Sequence, residues 1–80
     1  MKSKMPSLLF NNAETVREYR RKHELNQLEF WSRVGVTQSA GSRYESGRNI
    51  PKSVQLLLQV AYGTAKQAAA MVDWLQTRET

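Results

Sequence analysis

The apolar residues of the chain recur at helical spacing in separate segments. They lie three or four positions apart, which places their side chains on one face of an α-helix. Breaks in this pattern divide the chain into helices over about residues 13–23, 27–34, 38–45, 52–62 and 65–77. The pattern therefore predicts an all-α fold built from five short helices.

The second and third predicted helices meet at a short turn. Asn26 is placed to cap the second helix, with Glu29 at capping-box spacing, and Thr37 is placed to cap the third. Gly35 is the expected end of the second helix, because glycine adopts left-handed backbone angles without a Cβ penalty. Gly41 inside the third helix costs ~1 kcal/mol relative to alanine, so we expect a structural requirement for it.

Residues 1–12 precede the first helix and show no helical pattern. We therefore predict that they form an N-terminal arm on a domain that spans residues 13–80. Three consecutive apolar residues of the arm are candidates for docking on that domain: Leu8, Leu9 and Phe10. Asn11 and Asn12 are both candidate caps of the first helix. Asn11 and Glu14 have the capping-box spacing.

The fifth predicted helix, 65–77, is rich in alanine. Five of its residues form the stripe typical of an amphipathic helix: Ala65, Ala68, Ala69, Val72 and Leu75. Met71 and Trp74 fall to the side of the stripe and are either core residues or contacts with a second copy of the chain. Together with Leu75 they are our candidates for a dimer contact.

The composition adds positive charge. The 80 residues include 12 Lys and Arg against 7 Asp and Glu, a formal net charge of +5. In a small domain this charge favours polyanionic partners, although ordinary solubilising charge is the alternative. Four basic residues are interpreted as solvent-exposed charges only: Arg17, Arg21, Lys22 and Arg33.

Several classes of function find no support in the sequence. The chain has no cysteine, and its single histidine, His23, has no second ligand to share a metal. No serine has a base and an orienting acid suitably spaced, so we predict no enzyme, cofactor or metal site. The apolar runs fall far short of the roughly 20 residues of a membrane span. A cytoplasmic protein without membrane contact is expected, located at the nucleoid if it binds DNA.

Residues 16–61 also carry a specific pattern of residues. Its members are Val16, Tyr19, Arg20, Leu25, Asn26, Gln27, Glu29, Phe30, residues 34–39, Arg43, Tyr44, Glu45, Gly47, Pro51, Leu57, Leu58 and Ala61. The set and its intervals resemble the helix-turn-helix domain of lambdoid phage repressors and Cro, the broad class of XRE-like regulators. The resemblance implies a compact, five-helix, lambda-repressor-like domain. Its helix-turn-helix would span about 27–45, with the third helix in the DNA major groove.

The same resemblance implies roles for individual residues. Gln38, Ser39 and Arg43 match base-reading positions, and Ser42 is a further candidate. Glutamine can pair with adenine and arginine with guanine through two hydrogen bonds each. Phosphate contacts are implied for Gln27, Thr37, Ser46, Arg48, Asn49 and Lys52. Arg20 and Glu45 match a structural ion pair.

Two positions depart from the family pattern together. Trp31 stands where the family usually has a small residue, and Gly41 stands where it usually has a branched aliphatic residue. These positions pack against each other across the turn in the family. An exchange of volume between neighbours is well tolerated in a core. We therefore predict that the Trp31 indole fills the space above Gly41.

These observations predict a sequence-specific, double-stranded-DNA-binding transcriptional regulator. A repressor that binds a short palindromic operator as a homodimer is the preferred interpretation. The alternative is an antitoxin-type partner of a small toxin protein, which would use DNA binding for autoregulation.

Overall fold

The computed structural model describes residues 5–77, which form five α-helices joined by short connections and contain no strand. The helices are α1 (Ala13–Lys22), α2 (Gln27–Ser32), α3 (Gln38–Glu45), α4 (Lys52–Tyr62) and α5 (Ala65–Thr77). The all-α fold of five helices predicted from the apolar spacing is therefore confirmed. Residues 1–4 of the predicted arm and 78–80 of the predicted domain lie outside the described residues.

Local hydrogen bonds explain where α2 and α3 begin and end. The Asn26 side chain accepts from the Glu29 amide at 2.7 Å, and the Glu29 carboxylate accepts from the Asn26 amide at 2.9 Å. These two bonds form the predicted capping box. α2 ends at Ser32, two residues earlier than predicted, because the Val36 amide turns back to the Trp31 carbonyl at 3.1 Å. Gly35 makes this possible with a φ of +76°.

The first helix is capped by the second of the two candidate asparagines. The Asn12 side chain accepts from the Thr15 amide at 2.9 Å, and α1 begins at Ala13. The third residue of the helix is therefore Thr15. A capping box with Asn11 would require Glu14 at that position. The Asn11 capping box is accordingly wrong.

The core is aromatic and includes part of the arm. Its buried members are Phe10, Val16, Phe30, Trp31, Ile50 and Leu58. The Phe10 ring lies edge-on to Tyr19 at 5.3 Å and to Phe30 at 5.9 Å. Phe10 thus docks between the helices as a core residue.

A buried glutamine holds the arm in place. Gln59 is 1% exposed and donates its amide to the Ser7 carbonyl at 2.8 Å. Its side-chain oxygen accepts from the Leu9 amide, also at 2.8 Å. Both polar ends of this core glutamine are therefore satisfied by arm backbone, which explains a polar residue among apolar neighbours.

α5 packs against α4 with a different face from the predicted stripe. Met71 is fully buried and Trp74 is half-buried, whereas Val72 and Leu75 are 36% and 41% exposed. Large apolar side chains bury more area than alanine, so Met71 and Trp74 take the inward side. Met71 was one of our dimer candidates, and the structure corrects this: it is a core residue of its own chain.

Candidate nucleic-acid interface

The outer face of α3 carries polar side chains next to the first residue of α2. Gln38, Ser39 and Arg43 are exposed, and Ser42 is half-buried. All four line a shallow depression together with Gln27. The base-reading candidates and one phosphate-binding candidate are therefore brought together on one surface.

A second depression continues this surface towards the end of α3. It is lined by Ser42, Arg43, Ser46 and Arg48, so Ser42 and Arg43 belong to both depressions. We call the combined surface, from Gln27 to Arg48, the α3 strip. Its two arginines make it electropositive, which suits contact with a polyanion.

The remaining phosphate-binding candidates lie at the start of α3, in the loop after α3 and at the start of α4, outside the two depressions of the α3 strip. Thr37 caps α3, and its hydroxyl accepts from the Ala40 amide at 3.1 Å. Asn49 is exposed in the loop before α4, and Lys52 is the exposed first residue of α4. The structure therefore places these side chains near the α3 strip along the chain but outside its two depressions.

The position of α3 depends on its close packing against α2. Trp31 is fully buried, and a Cβ built on Gly41 would lie 2.2 Å from its Cδ1 atom and 2.4 Å from its Cγ atom. Real Cβ atoms essentially never come within 3.0 Å of a neighbouring heavy atom. The predicted exchange of volume between Trp31 and Gly41 is confirmed, and it explains the glycine inside α3.

Glu45, the last residue of α3, collects hydrogen bonds from three side chains. Arg20 donates from Nε at 2.9 Å and from Nη2 at 2.6 Å, which forms a bidentate ion pair. The Trp31 indole nitrogen donates at 2.7 Å, and the Gln27 amide approaches to 3.4 Å. We call this group the Glu45 hub (Arg20, Gln27, Trp31 and Glu45). It joins α1, α2 and α3 at the edge of the α3 strip.

The Glu45 hub keeps its carboxylate ionised. Burial by itself would raise the pKa of Glu45, but the hydrogen bonds from Arg20, Trp31 and Gln27, with the charge of Arg20, lower the pKa below its ordinary value. Glu45 is also only 5% exposed and is paired with the Arg20 guanidinium, so its negative charge is largely neutralised beside the α3 strip. Glu45, at the end of α3, therefore holds the helices together and is not a DNA contact.

Two hydrogen bonds to Glu45 were not predicted from the sequence. Arg17, interpreted as a solvent charge, donates to the backbone carbonyl of Glu45 and so helps to close the C-terminal end of α3. It lies one turn before Arg20 on α1, and that spacing could have placed both on the same face. The second is the Trp31 hydrogen bond, which a buried indole N–H requires.

A family model described as an RsaL-like HTH domain matches residues 17–61. The matched segment covers more than half of the 80 residues. The chain belongs to the RsaL-like helix-turn-helix family. Searches of curated proteins and of solved structures found no match.

The part of this RsaL-like chain matched by the family model contains the complete site. It includes α2, α3, the Glu45 hub and the α3 strip, and it leaves out the arm and α5. Membership identifies the chain as a helix-turn-helix regulator with DNA as its partner, a class that is typically not enzymatic. None of the helices among residues 5–77 is long and apolar enough to cross a membrane.

Proposed function

We propose that this RsaL-like protein is a sequence-specific transcriptional repressor that acts on double-stranded DNA in the cytoplasm. α3 enters the major groove and α2 lies across the phosphate backbone, as in lambdoid repressors. The observation that carries the proposal is the α3 strip. There, side chains able to form paired hydrogen bonds with bases are exposed on a helix that is fixed from behind by Trp31 and the Glu45 hub.

The chemistry of the exposed face suits direct readout of base edges. Gln38 at the first position of α3 can pair with adenine N6 and N7, and Arg43 can pair with guanine O6 and N7. Ser39 and Ser42 are short enough to let the helix approach the bases and can donate or accept. We assign base reading to these four residues.

Groups around the strip would bind the backbone without reading sequence. Phosphate contacts are assigned to Gln27, Thr37, Ser46, Arg48, Asn49 and Lys52. The N-terminus of α4 adds unpaired amides beside Lys52, since its N-cap position is Pro51, which makes no side-chain cap. These contacts would set the orientation of α3 in the groove.

Substitution of Arg43 by alanine is expected to relax one position of the operator and to weaken specific binding about 5- to 150-fold, because it removes a bidentate base contact. Lys52→Ala should weaken specific and random duplexes alike and reduce the salt slope by about one. Binding of labelled duplexes at several salt concentrations measures both effects. Lys66→Ala, which removes an equal charge from α5, is the matched control and should change affinity least.

The function proposal itself is tested by selection from a random duplex pool, followed by titration of the selected and random duplexes. A common sequence bound well above the random background is the expected result. Equal affinity for both pools would contradict a sequence-specific repressor.

We further propose that the chain binds a palindromic operator as a homodimer through α4 and α5. Leu57, Val72 and Leu75 are exposed large apolar residues on these two helices, at 50%, 36% and 41%. Trp74 and Leu75 remain from the sequence-based candidates, with Trp74 half-buried in its own chain. A two-fold dimer that reads a palindrome through its two α3 helices requires half-sites about one DNA turn apart, ~34–36 Å.

Leu57→Glu combined with Leu75→Glu is expected to convert the protein to a monomer and to weaken operator binding, because carboxylates would be buried at the interface. Sedimentation equilibrium gives the oligomeric state and the duplex assay gives the affinity. Leu28→Glu is the control for the oligomeric state, since Leu28 is 55% exposed on α2, which is not part of the proposed dimer surface. A dimer that survives the double substitution would argue against this surface.

The antitoxin alternative uses the same exposed apolar residues for a different partner. Copurification of one stoichiometric small protein, displaced by the Leu57 and Leu75 substitutions, would favour an antitoxin. A homodimer that purifies alone and binds its operator fully would favour the repressor.

A further inference from the structure

A shallow, open cleft of about 560 Å³ lies between the arm, α1 and the start of α5. Its apolar wall consists of Leu9, Phe10, Tyr19 and Tyr62. None of its lining residues belongs to the α3 strip or to the phosphate contacts assigned above. The cleft is therefore separate from the proposed DNA surface.

The size and the wall of the cleft suit a small molecule. Ligand pockets have volumes of roughly 300–1,000 Å³ and are mostly apolar, with a few polar groups that orient the ligand. Phe10 and Tyr19 meet edge-on at 5.3 Å, and Tyr19 and Tyr62 do so at 5.2 Å. These rings form a rigid aromatic corner against which a flat or aliphatic body can pack.

The wall is held firmly by hydrogen bonds from other helices. The Tyr62 hydroxyl donates to the Phe30 carbonyl at 2.6 Å, and burial raises the pKa of Tyr62 above its ordinary value. Phe10 is fixed by the Gln59 bonds to the neighbouring arm backbone. A ligand would thus meet a largely preformed surface, which reduces the entropy lost on binding.

The rim of the cleft carries more positive than negative charge. Arg21 and Lys22 are exposed at the end of α1, and Glu18 is the acidic residue beside them. Arg20, between Tyr19 and Arg21, is bound to Glu45 and is not part of the rim. A guanidinium next to an ammonium favours a carboxylate, which the arginine can hold through two hydrogen bonds.

We propose that this cleft binds a small amphipathic carboxylate, with its apolar body against Phe10, Tyr19 and Tyr62 and its carboxylate at Arg21 and Lys22. This site is distinct from DNA recognition, because it would bind a small anionic molecule. It does not depend on which operator α3 reads, so its test can fail while the proposed DNA function stands.

The test is a titration of the full-length, ¹⁵N-labelled chain with 2-naphthoate, followed by amide chemical shifts. Neutral 2-naphthamide and cationic 2-naphthylmethylammonium supply the same ring system with different charge. We expect saturable shifts around Phe10, Tyr19 and Lys22 with naphthoate. Because the two cations are exposed, affinity should fall about two- to fivefold with the amide and further with the ammonium compound.

Variants separate the cleft from general electrostatics. Arg21→Gln with Lys22→Gln should remove the preference for the carboxylate, and Glu18→Gln should strengthen naphthoate binding. Arg43→Gln with Arg48→Gln is the matched control, because it removes the same charge from the α3 strip and leaves the cleft intact. All of the substituted residues are exposed, so the substitutions should not disturb folding. Amide spectra of the ligand-free variants check that each one is folded.

Three results of the ligand titrations would overturn the proposal. They are the absence of saturable shifts at the cleft, equal affinity for the three naphthalene compounds, and an equal loss of naphthoate affinity in the control pair. Cleft shifts that depend on protein concentration without any ligand would instead show that a second copy occupies the cleft, and the carboxylate assignment would then be wrong.

Discussion

Gly41→Ile is expected to abolish the cooperative thermal unfolding transition of this protein. The new Cβ would lie 2.2 Å from the Trp31 ring, and the branches of isoleucine extend further into the same space. The ring cannot move aside easily, because it is fully buried and its nitrogen is bound to Glu45 at 2.7 Å. A domain of this size has a stability of only about 4–12 kcal/mol, so displacement of α3 from α2 is enough to unfold it.

The helix propensity of alanine opposes this steric clash, and the balance of the two effects decides the sign for the milder substitution Gly41→Ala. Gly41→Ala would gain ~1 kcal/mol in an open helix, but overpacking costs about 1–3 kcal/mol or more. We therefore expect Gly41→Ala to lower the melting temperature measured by circular dichroism.

Two control variants isolate the contact between Trp31 and Gly41. Ala40→Gly measures helix propensity at the neighbouring position. The loss caused by Gly41→Ala should be smaller in a Trp31→Leu background, since the indole is then absent. A Gly41→Ile protein with the wild-type melting temperature would refute the close packing of α2 and α3.

Glu45→Ala is expected to destabilise the domain by roughly 3 kcal/mol, the lower end of the range for buried ion pairs that lose one partner, because the Arg20 side chain is 20% exposed. The substitution removes both Glu45 acceptors of the Arg20 guanidinium. Arg20 then keeps its hydrogen bond to the Leu25 carbonyl at 3.0 Å. It also leaves the indole N–H of Trp31 buried without Glu45. Urea unfolding at pH 7 measures the loss. Glu18→Ala removes an exposed acid from α1 and should change stability by less than about 1 kcal/mol.

The same hub should make stability depend on pH in the acid range. Although burial opposes ionisation, the hydrogen bonds of the hub keep the pKa of folded Glu45 below its unfolded value. The stabilisation is thus complete above the unfolded pKa of about 4.3 and is lost as the pH falls through the lower folded pKa. A Glu45→Gln protein cannot titrate there, so its unfolding free energy should vary less with acid pH. An identical pH profile in both proteins would show that Glu45 does not contribute in this way.

Much of the site could be read from the sequence because its geometry is local. The Asn26 and Thr37 caps, the turn at Gly35 and the limits of α3 depend on residues three to five positions apart. Trp31 and Gly41 are ten positions apart, but the short turn between α2 and α3 leaves few ways for these helices to pack. The resemblance to lambdoid repressors identified these two positions as neighbours, and the short turn explains why the same packing is found here.

Contacts between distant segments were decided only by the tertiary structure. The orientation of α5 depends on which of its faces buries more area against α4, and the alanine-rich pattern suggested a face other than that of Met71. Arg17 reaches the end of α3 across 28 positions, and Gln59 holds the arm across 50 or more.

The sequence by itself therefore determined the five helices, the caps of α2 and α3 and the polar outer face of α3. The tertiary structure decided which buried polar groups satisfy one another and which apolar residues remain exposed. The physical reason is that a cap or a turn is satisfied within one or two helical turns. Burial and long-range hydrogen bonds, by contrast, depend on how all the helices pack at once.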